Sequence, residues 1–390
     1  MKVVVFASGR ADLGPLAPVV RALACRPDVE VTIATALTFT AASLEVALAA
    51  LDITLPTVRV RQVGPLIDGD GVLDLVKCGA RVSEGVGALL SDERGVLVVL
   101  GDRWELPWVI MPGLLLGIPV VHLHGGEVTE GAIDDRVRHA VTKLADVHCV
   151  ASEDAARRLR QLGEPASAIH VTGAPGLDRF RDVIPAPDSE LAVMFGHGVK
   201  RPLALFTYHP VTTRPVVEAA GCAAEALRAV AEVAGEVLVT HPGPDPGREA
   251  VLGALTTVAT ELDNVTLVPA LADRYPSVLA AADVVVGNSS SGLIEAASAG
   301  IPAVDIGNRQ RGRLRGANVI HTSDGFVNVK IAVQKSLDPG FASSWGSLVN
   351  PYGKGNSAEA IADVIVASAA SPSGKHFIDA DDDKWDGGHR

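Results

Sequence analysis

The 390-residue sequence has few of the features that identify secreted or membrane proteins. It contains four cysteines and no Cys-x-x-Cys pair, so we expect free thiols in a reducing compartment and no disulfide framework. No segment approaches the roughly 18 consecutive apolar residues that span a bilayer, and the start, MKVVVFASGR, lacks the apolar core of a signal peptide. These absences predict a cytoplasmic location and no membrane partner.

Basic and aromatic residues are also scarce. The formal net charge is -12, which argues against a nucleic-acid partner because such proteins need a basic surface. Aromatic residues make up 4% of the chain and hydrophobic residues 48%. This small-residue composition favours helix–sheet packing, and the length is sufficient for two domains.

Short apolar runs alternate with helical patterns along the chain. The predicted strands cover residues 2–7, 29–34, 96–100, 119–123, 147–151 and 169–172, then 203–207, 236–240, 265–267, 283–287 and 302–306. This alternation predicts parallel sheets with helices on both faces, hence an α/β protein. We expect doubly wound, Rossmann-like domains at 1–175 and 203–371, a Pro- and Gly-containing linker at 176–202 and a polar tail at 372–390. The last predicted helix, 358–371, is a candidate to pack back on the first domain.

Ligands of open α/β sheets bind beyond the carboxyl ends of the strands, so residues at these positions are the first candidates. The turn Ser8–Asp12 follows the first strand, and Arg10 there could contact a phosphate at a helix N-terminus. Neither a GxGxxG nor a P-loop motif is present. Asp102 follows the strand 96–100; it is a candidate catalytic acid or, alternatively, an N-cap of the helix that contains Glu105.

The stretch 121–139 is the richest in chemically active residues. Gly125 and Gly126 follow a predicted strand and would allow a substrate to approach closely. Glu127 is then a carboxylate at the floor of the cleft. Asp134 and Arg138 are four residues apart, so they share one face of a helix. An acid, a base and a cation are therefore offered together.

A metal site is the alternative interpretation of this stretch. His122, His124 and Glu127 are residue types that bind zinc. No further dedicated cluster of ligands accompanies them, and the pattern predicts two sheets and no single barrel. We therefore expect no metal.

Two histidines and a serine-rich turn stand at strand ends in the second half. His209 and His241 are each followed by proline, and His209 could act as an acid, a base or a phosphate ligand. The candidate phosphate cradle follows the strand 283–287 and consists of Ser289, Ser290, Ser291 and Gly292. Glu295 lies one turn further and could accept hydrogen bonds from both ribose hydroxyls. The alternative without a ligand is that the serines cap the N-terminus of a helix and that Glu295 is exposed to solvent.

Four arginines follow the strand 302–306 in an otherwise acidic protein: Arg309, Arg311, Arg313 and Arg315. This local positive charge indicates an anionic ligand. A solvated loop or a subunit contact would be the alternative.

Taken together, these segments resemble the hydrolysing UDP-N-acetylglucosamine 2-epimerases of bacterial sialic-acid and legionaminic-acid pathways. The matching segments are SGRAD at 8–12, GDRWE at 101–105, HLHGGEVTEGAIDDRVRHAVTKLADVH at 122–148, YHPVT at 208–212 and GNSSSGLIEAASAGIPAVDIGNRQRGR at 287–313. They occur in order over roughly residues 1 to 370, which argues against coincidence.

The resemblance implies a fold like that of the glycosyltransferase-B class, with two domains facing a cleft, and no NAD or other cofactor. It implies elimination of UDP from the sugar to give a glycal, followed by hydration to N-acetylmannosamine. It makes Asp102, Glu127 and Asp134 the catalytic carboxylates, supported by Arg138 and His209. The residues implied to hold the UDP-sugar are Arg10, Gly125, Gly126, His241, Ser289, Ser290, Ser291, Gly292, Glu295 and Arg313. A homodimer or homotetramer is also expected.

Two loops depart from the family pattern. The loop Thr35–Phe39 lacks the usual Gly-x-His element, and Pro242–Asp245 lacks the usual asparagine. Both loops are expected to border the sugar, so UDP-2,4-diacetamido-2,4,6-trideoxyglucose is an alternative substrate. A glycosyltransferase of the same fold is the alternative outside the family, although the three carboxylates argue against it.

Overall fold

The computed structural model describes residues 1–53, 58–69, 71–130, 132–211, 213–243, 245–369 and 374–379. These residues form two parallel sheets flanked by helices, which confirms the predicted fold class. No helix among them is long and apolar enough to cross a bilayer. The side chain of Arg10 and residues 372–373 and 380–390 of the predicted tail lie outside the described part.

The first sheet, within this described part, has seven strands in the order β3-β2-β1-β4-β5-β6-β7. The strands are β1 (Lys2–Ala7), β2 (Glu30–Leu37), β3 (Val58–Leu66), β4 (Val96–Leu100), β5 (Val120–Leu123), β6 (Val147–Val150) and β7 (Ile169–Val171). The helices that accompany them are α1 (Arg10–Ala24), α2 (Ala41–Ala49), α3 (Val72–Asp92), α4 (Leu106–Leu116), α5 (Asp134–Leu144) and α6 (Glu153–Gln161). The central strands are continuous apolar runs because helices cover both faces of the sheet.

The second sheet has six described strands in the order β10-β9-β8-β11-β12-β13. They are β8 (Leu203–Thr207), β9 (Glu236–Thr240), β10 (Val265–Val268), β11 (Val284–Gly287), β12 (Ala303–Ile306) and β13 (Val319–Thr322). Its helices are α7 (Asp188–Phe195), α8 (Val216–Ala231), α9 (Arg248–Glu261), α10 (Tyr275–Ala281), α11 (Ser291–Ile294), α12 (Phe326–Ser336) and α13 (Pro339–Ser343).

Two strands were not among those predicted, and the predicted linker is folded. β3 is an edge strand whose apolar pattern is interrupted by Arg59 and Arg61, and β13 is a short edge strand of the second sheet. Edge strands carry weaker apolar patterns because they are partly exposed. Within 176–202, α7 packs Leu191 and Phe195 into the core of the second sheet.

The last helix, α14 (Ser357–Ser368), returns from the second sheet to the first. Its Ile361 and Ile365 are fully buried in the same core as Leu16 and Leu23 of α1. Ion pairs join residues beyond the carboxyl end of the second sheet to residues beyond that of the first, so the two ends face each other. Strand order reverses between β1 and β4 and between β8 and β11. These reversal points are where doubly wound sheets bind ligands.

Candidate active site

A buried arginine organises the carboxyl end of the first sheet. Arg138 of α5 is 1% exposed and donates hydrogen bonds to Asp102, to the Glu127 carbonyl oxygen (2.8 Å) and to Thr129 Oγ1 (2.6 Å). Burial alone would raise the pKa of Asp102, but Arg138 and Arg313 outweigh it and the pKa is lowered. Asp102 is therefore ionised at neutral pH. It is also not the N-cap of α4, because that position is occupied by Glu105.

The negative charge of Glu127 is stabilised by side chains from both sheets. One carboxylate oxygen lies 2.6 Å from His124 Nδ1, and the other lies 2.9 Å from Nη1 of Arg313, which follows β12. The Glu127 side chain is 5% exposed and that of Arg313 9%. Burial would raise the pKa of Glu127, yet Arg313 and His124 lower it to about 2. Glu127 therefore stays charged and cannot supply a proton at neutral pH.

The loop that carries Arg313 is docked against the first domain. The backbone N–H of Glu130 donates to Arg311 O over 3.1 Å, and the two side chains form an ion pair of 2.9 Å. Gly312 has φ +88°, and a Cβ there would lie 2.4 Å from Val128 Cγ1. Only glycine permits both this backbone conformation and this close approach. The contact brings the arginines of one sheet to the acids of the other.

The negative charge of Asp134 is only weakly neutralised. Asp134 is the first residue of α5, and the cation paired with it is Arg309, whose Nη2 lies 3.9 Å from the carboxylate. The same Nη2 lies 3.7 Å from Asp245, so one guanidinium serves two acids. Burial, followed by the charge of Asp102, raises the pKa of Asp134 to about 7. Asp134 can therefore gain or lose a proton near neutral pH, as a general acid or base must.

His209 is held by its neighbours in a neutral form. Asn288, which is fully buried, accepts from the His209 backbone N–H (2.7 Å) and donates to the His209 carbonyl oxygen (2.9 Å). The Gly243 N–H donates to His209 Nδ1 over 3.1 Å, so in the neutral ring the proton is on Nε2. Burial and the charge of Arg309 lower the pKa of His209 to about 4. The ring therefore offers an uncharged N–H donor.

The serine turn and Glu295 lie together after β11. The Ser291 hydroxyl is hydrogen-bonded to Tyr275 OH, and the Ser291 N–H donates to Ser289 Oγ over 3.4 Å. Burial raises the pKa of Glu295, whereas Ser291 and Arg179 oppose the rise. Glu295 is thus in a partly desolvated place and not on a solvated surface. Ser290 and Gly292 flank Ser291 in the same turn, and His241 follows β9 nearby in the sheet.

Gly125 and Gly126 are closely packed within the first sheet and its helices. Both are buried. A Cβ on Gly125 would lie 3.0 Å from His122 Nδ1, and one on Gly126 would lie 2.4 Å from Ala155 O in α6. Protein packing therefore already requires glycine at both positions, and contact with a substrate stays a prediction.

The metal interpretation finds no ligand cluster. His122 is fully buried and its Nε2 donates to Gly101 O over 2.7 Å; burial lowers its pKa to about 3. His124 and Glu127 are bonded to each other. Among the described residues, no group of three or more His, Cys, Asp or Glu side chains could hold a metal ion.

Arg103 was not singled out from the sequence, although it lies in one of the matching segments. Its Nε donates to Glu105 Oε1 over 2.7 Å, and Glu105 is fully buried and also accepts from Ser8. Arg103 Nη1 lies 3.5 Å from where a Cβ on Gly9 would stand. A fixed cation therefore lies beside the turn at the start of α1. The pattern Arg-x-Glu after a strand end could have indicated this ion pair, but the same pattern is also typical of an ordinary helix start.

Comparison with known proteins agrees with this architecture. The chain matches the UDP-N-acetylglucosamine 2-epimerase family over residues 22–366. It is 31% identical over 271 residues to the UDP-N,N'-diacetylbacillosamine 2-epimerase (hydrolyzing) of Legionella pneumophila, covering 69% of this chain and 70% of that protein. It is 33% identical over 255 residues to the UDP-N-acetylglucosamine 2-epimerase of Neisseria meningitidis, covering 64% and 66%.

Solved structures show the same fold. The crystal structure of UDP-GlcNAc 2-epimerase from Neisseria meningitidis bound to UDP-GlcNAc has a TM-score of 0.75 at 16% identity and covers 94% of this chain and 100% of that one. A two-domain enzyme fold of the glycosyltransferase-B type, acting on a nucleotide sugar, is the class that fold and relatives define together. The chain belongs to the UDP-N-acetylglucosamine 2-epimerase family.

Proposed function

We propose that the protein is a hydrolysing 2-epimerase that converts UDP-N-acetylglucosamine to UDP and N-acetylmannosamine. The observation that carries the proposal is the unequal treatment of three carboxylates at one sheet edge. Asp102 and Glu127 are held ionised by arginines, whereas the pKa of Asp134 is raised to about 7. An elimination followed by a hydration needs such a division between fixed charge and a group that exchanges protons.

In the first step Asp134 takes the proton from C2 of the sugar while the C1–O bond to UDP breaks. The products are UDP and a glycal with a C1–C2 double bond. Asp102 and Glu127 stabilise positive charge that develops at C1 by their fixed negative charge. Arg103, Arg309 and the Nε2 proton of His209 are placed to neutralise the departing diphosphate.

In the second step water adds across the double bond. Its hydroxyl bonds to C1, and a solvent-derived proton bonds to C2 from the face opposite to the one from which Asp134 removed the first proton, which gives the free 2-epimer. Glu127, bonded to His124 over 2.6 Å, is placed to orient this water. Asp134 leaves the first step protonated and releases this proton to solvent, so its ionised form is restored before the next turnover.

We place the nucleotide on the second sheet. Glu295 would accept from the ribose hydroxyls, and the turn Ser289–Ser291 would contact the diphosphate. Arg10, His241 and Gly292 are predicted to contribute to this subsite. A homodimer or homotetramer and a division into domains at 1–175 and 203–371 also remain predictions.

UDP-2,4-diacetamido-2,4,6-trideoxyglucose is the second candidate substrate. The relative from Legionella pneumophila, named as a hydrolyzing 2-epimerase of UDP-N,N'-diacetylbacillosamine, is 31% identical to this chain over 271 residues. The departures at Thr35–Phe39 and Pro242–Asp245 favour a changed sugar pocket. The two candidates differ at C4 and C6 of the sugar, and C1 and C2, where the reaction takes place, are the same.

Proton NMR in D2O tests the proposal. Incubation with UDP-N-acetylglucosamine should yield UDP and free N-acetylmannosamine with deuterium at C2. An epimerised nucleotide without free sugar would identify a non-hydrolysing epimerase, and no reaction with either substrate would contradict the proposal. Values of kcat/KM for the two nucleotide sugars, with Asp134→Asn as the inactive control, would select the substrate.

A further inference from the structure

A segment near the C-terminus lies against the far end of the helix that carries Asp134. We call residues 374–379 the C-terminal strap. Lys375 Nζ in this strap donates to Thr142 O (2.9 Å), to Ala145 O (2.6 Å) and to Glu164 Oε2 (2.8 Å). Thr142 is in the last turn of α5 and Ala145 is its C-cap. A residue about 230 positions away in sequence thus caps α5.

The strap is also held by packing and by a backbone hydrogen bond. Phe377 packs against Gly163, with the ring 2.5 Å from where a Cβ would stand, and Lys143 Nζ lies 4.8 Å from the ring centre. The Ile378 N–H donates to Gly163 O over 3.0 Å. Three kinds of contact within four residues place the strap firmly on this surface.

Electrostatics explain why a lysine is needed there. The last carbonyl groups of a helix have no partner within the helix and carry partial negative charge. Glu164 beside them has a fully buried carboxylate, which also binds Lys143 (2.6 Å) and His148 (2.9 Å). Burial alone would lower the pKa of Lys375, and Glu164 opposes that change. Lys375 contacts both the carbonyl oxygens at the helix end and this carboxylate.

The opposite end of α5 is the proposed catalytic surface. Asp134 is its first residue and Arg138, one turn later, holds Asp102. A helix of this length is a rigid rod with a rise of about 1.5 Å per residue, so a shift at its C-terminus reaches its N-terminus. Misplacement of a reacting group by about 1 Å can lower turnover by up to about 10²-fold.

We propose that Lys375 is a positioning residue that sets the place of α5, and with it the place of Asp134 and Arg138, in the cleft. This rests on the proposed function, because it assumes that Asp134 transfers the proton. The nucleotide subsite lies on the other sheet, so the strap should influence turnover and not UDP binding.

The test compares Lys375→Met with two other variants. Lys375→Met should lower kcat by roughly tenfold, leave the Kd of UDP within about twofold by calorimetry, and speed amide hydrogen exchange in α5. Lys375→Arg should restore most of the turnover because it keeps the cation. Lys335→Met is the matched control, since Lys335 is an exposed lysine in the last turn of α12; it should change none of these.

Each outcome separates the strap from simple stabilisation and from the proposed function. If Lys375→Met lowers the melting temperature but leaves kcat per folded molecule and the acid limb of the pH profile unchanged, the positioning role is wrong. If it weakens UDP binding as much as turnover, the role is also wrong. Wild-type protein that releases no UDP from either nucleotide sugar overturns the proposed function instead. Should Lys375→Met fail to fold, Lys375→Gln, which keeps a hydrogen-bond donor but removes the charge, decides the question by the same kcat, Kd and exchange measurements.

Discussion

Two groups of charged residues at the facing ends of the sheets differ in how closely their acids are paired with cations. In the compensated group each acid has close cations, with Glu127 lying 2.9 Å from Arg313. In the weakly paired group two acids share a single guanidinium at 3.7–3.9 Å. The compensated group is Asp102, Glu127, Arg138 and Arg313; the weakly paired group is Asp134, Asp245, Arg309 and His209.

The difference shows that burial alone does not decide how an acid behaves. Burial raises the pKa of Glu127 and of Asp134 alike, but only Glu127 has a short, well-placed cation that reverses the effect. The Coulomb energy falls with distance, and a shared cation is divided between two acids. One cleft thereby contains fixed negative charge beside a carboxyl group that titrates near neutrality.

The largest effect is expected from Asp134→Asn, which removes the titrating acid. The amide keeps size and most hydrogen bonds but cannot transfer a proton, so kcat should fall by about 10²–10⁴-fold. UDP affinity and the melting temperature should change little. Asp74→Asn, in the first turn of α3, is the control for loss of an acid at a helix start. Turnover that survives Asp134→Asn would mean that another group takes the proton.

Arg313→Met would break the compensated group. Removing one partner of a buried ion pair leaves an unpaired charge and typically costs about 3–5 kcal/mol. Adding Glu127→Gln should recover much of that loss, which a double-mutant cycle by chemical denaturation would measure. Arg311→Met is the matched control: its pair with Glu130 is also 2.9 Å long but is 69% and 51% exposed, so we expect at most about 1 kcal/mol. Equal losses for both arginines would argue against the distinction.

Glu295→Ala separates binding from chemistry. The ribose does not change in the reaction, so the lost energy should be the same in ground and transition states. Hydrogen bonds to charged groups contribute about 1.5–3 kcal/mol, which corresponds to roughly 10–100-fold in the Kd of UDP. Calorimetry measures this, with kcat of bound substrate largely retained. Unchanged UDP affinity would place the nucleotide elsewhere.

The pH dependence should report the ionisation of Asp134. Since Asp134 must be ionised to accept a proton, turnover should fall by about tenfold per pH unit below an acid limb near pH 7. Asp134 in the folded state keeps its proton up to about pH 7, but an unfolded aspartate keeps it only to about 3.8. The folded state thus binds the extra proton between these values, and its contribution to stability declines as pH rises through them. Melting curves from pH 4 to 8 should show a smaller decline for Asp134→Asn than for the wild type.

Glu127 should behave in the opposite sense. Its folded pKa of about 2 is below its ordinary value of 4.5, so its contribution is present above pH 4.5 and is lost as pH falls toward 2. A Glu127→Gln protein should therefore lose less stability than the wild type on acidification.

The smallest effect is expected from chelation. His124 and Glu127 are interpreted as a hydrogen-bonded pair and not as metal ligands, so EDTA should leave turnover unchanged. A loss of activity that zinc or magnesium restores would revive the metal interpretation of His122, His124 and Glu127.

Much of the architecture could be predicted because continuous apolar segments are buried in the core regardless of which elements pack against them. The strands Lys2–Ala7, Val96–Leu100 and Glu236–Thr240 occur where the pattern placed them. The edge strand β3 and helix α7 were harder, since an exposed edge carries charged residues and short helices resemble linkers. The tail was expected to be a polar extension, but residues 374–379 contact the first domain through Lys375.

The sequence by itself determined which residues stand at strand ends, because chain order and the parallel topology place Asp102, Glu127, His209 and the serine turn there. It could not determine which carboxylate titrates. That property depends on distances between Asp134, Asp245 and Arg309, which are up to 175 positions apart and meet only when the two sheets face each other. Charge interactions depend on separation in space and on burial, and both are decided by tertiary structure.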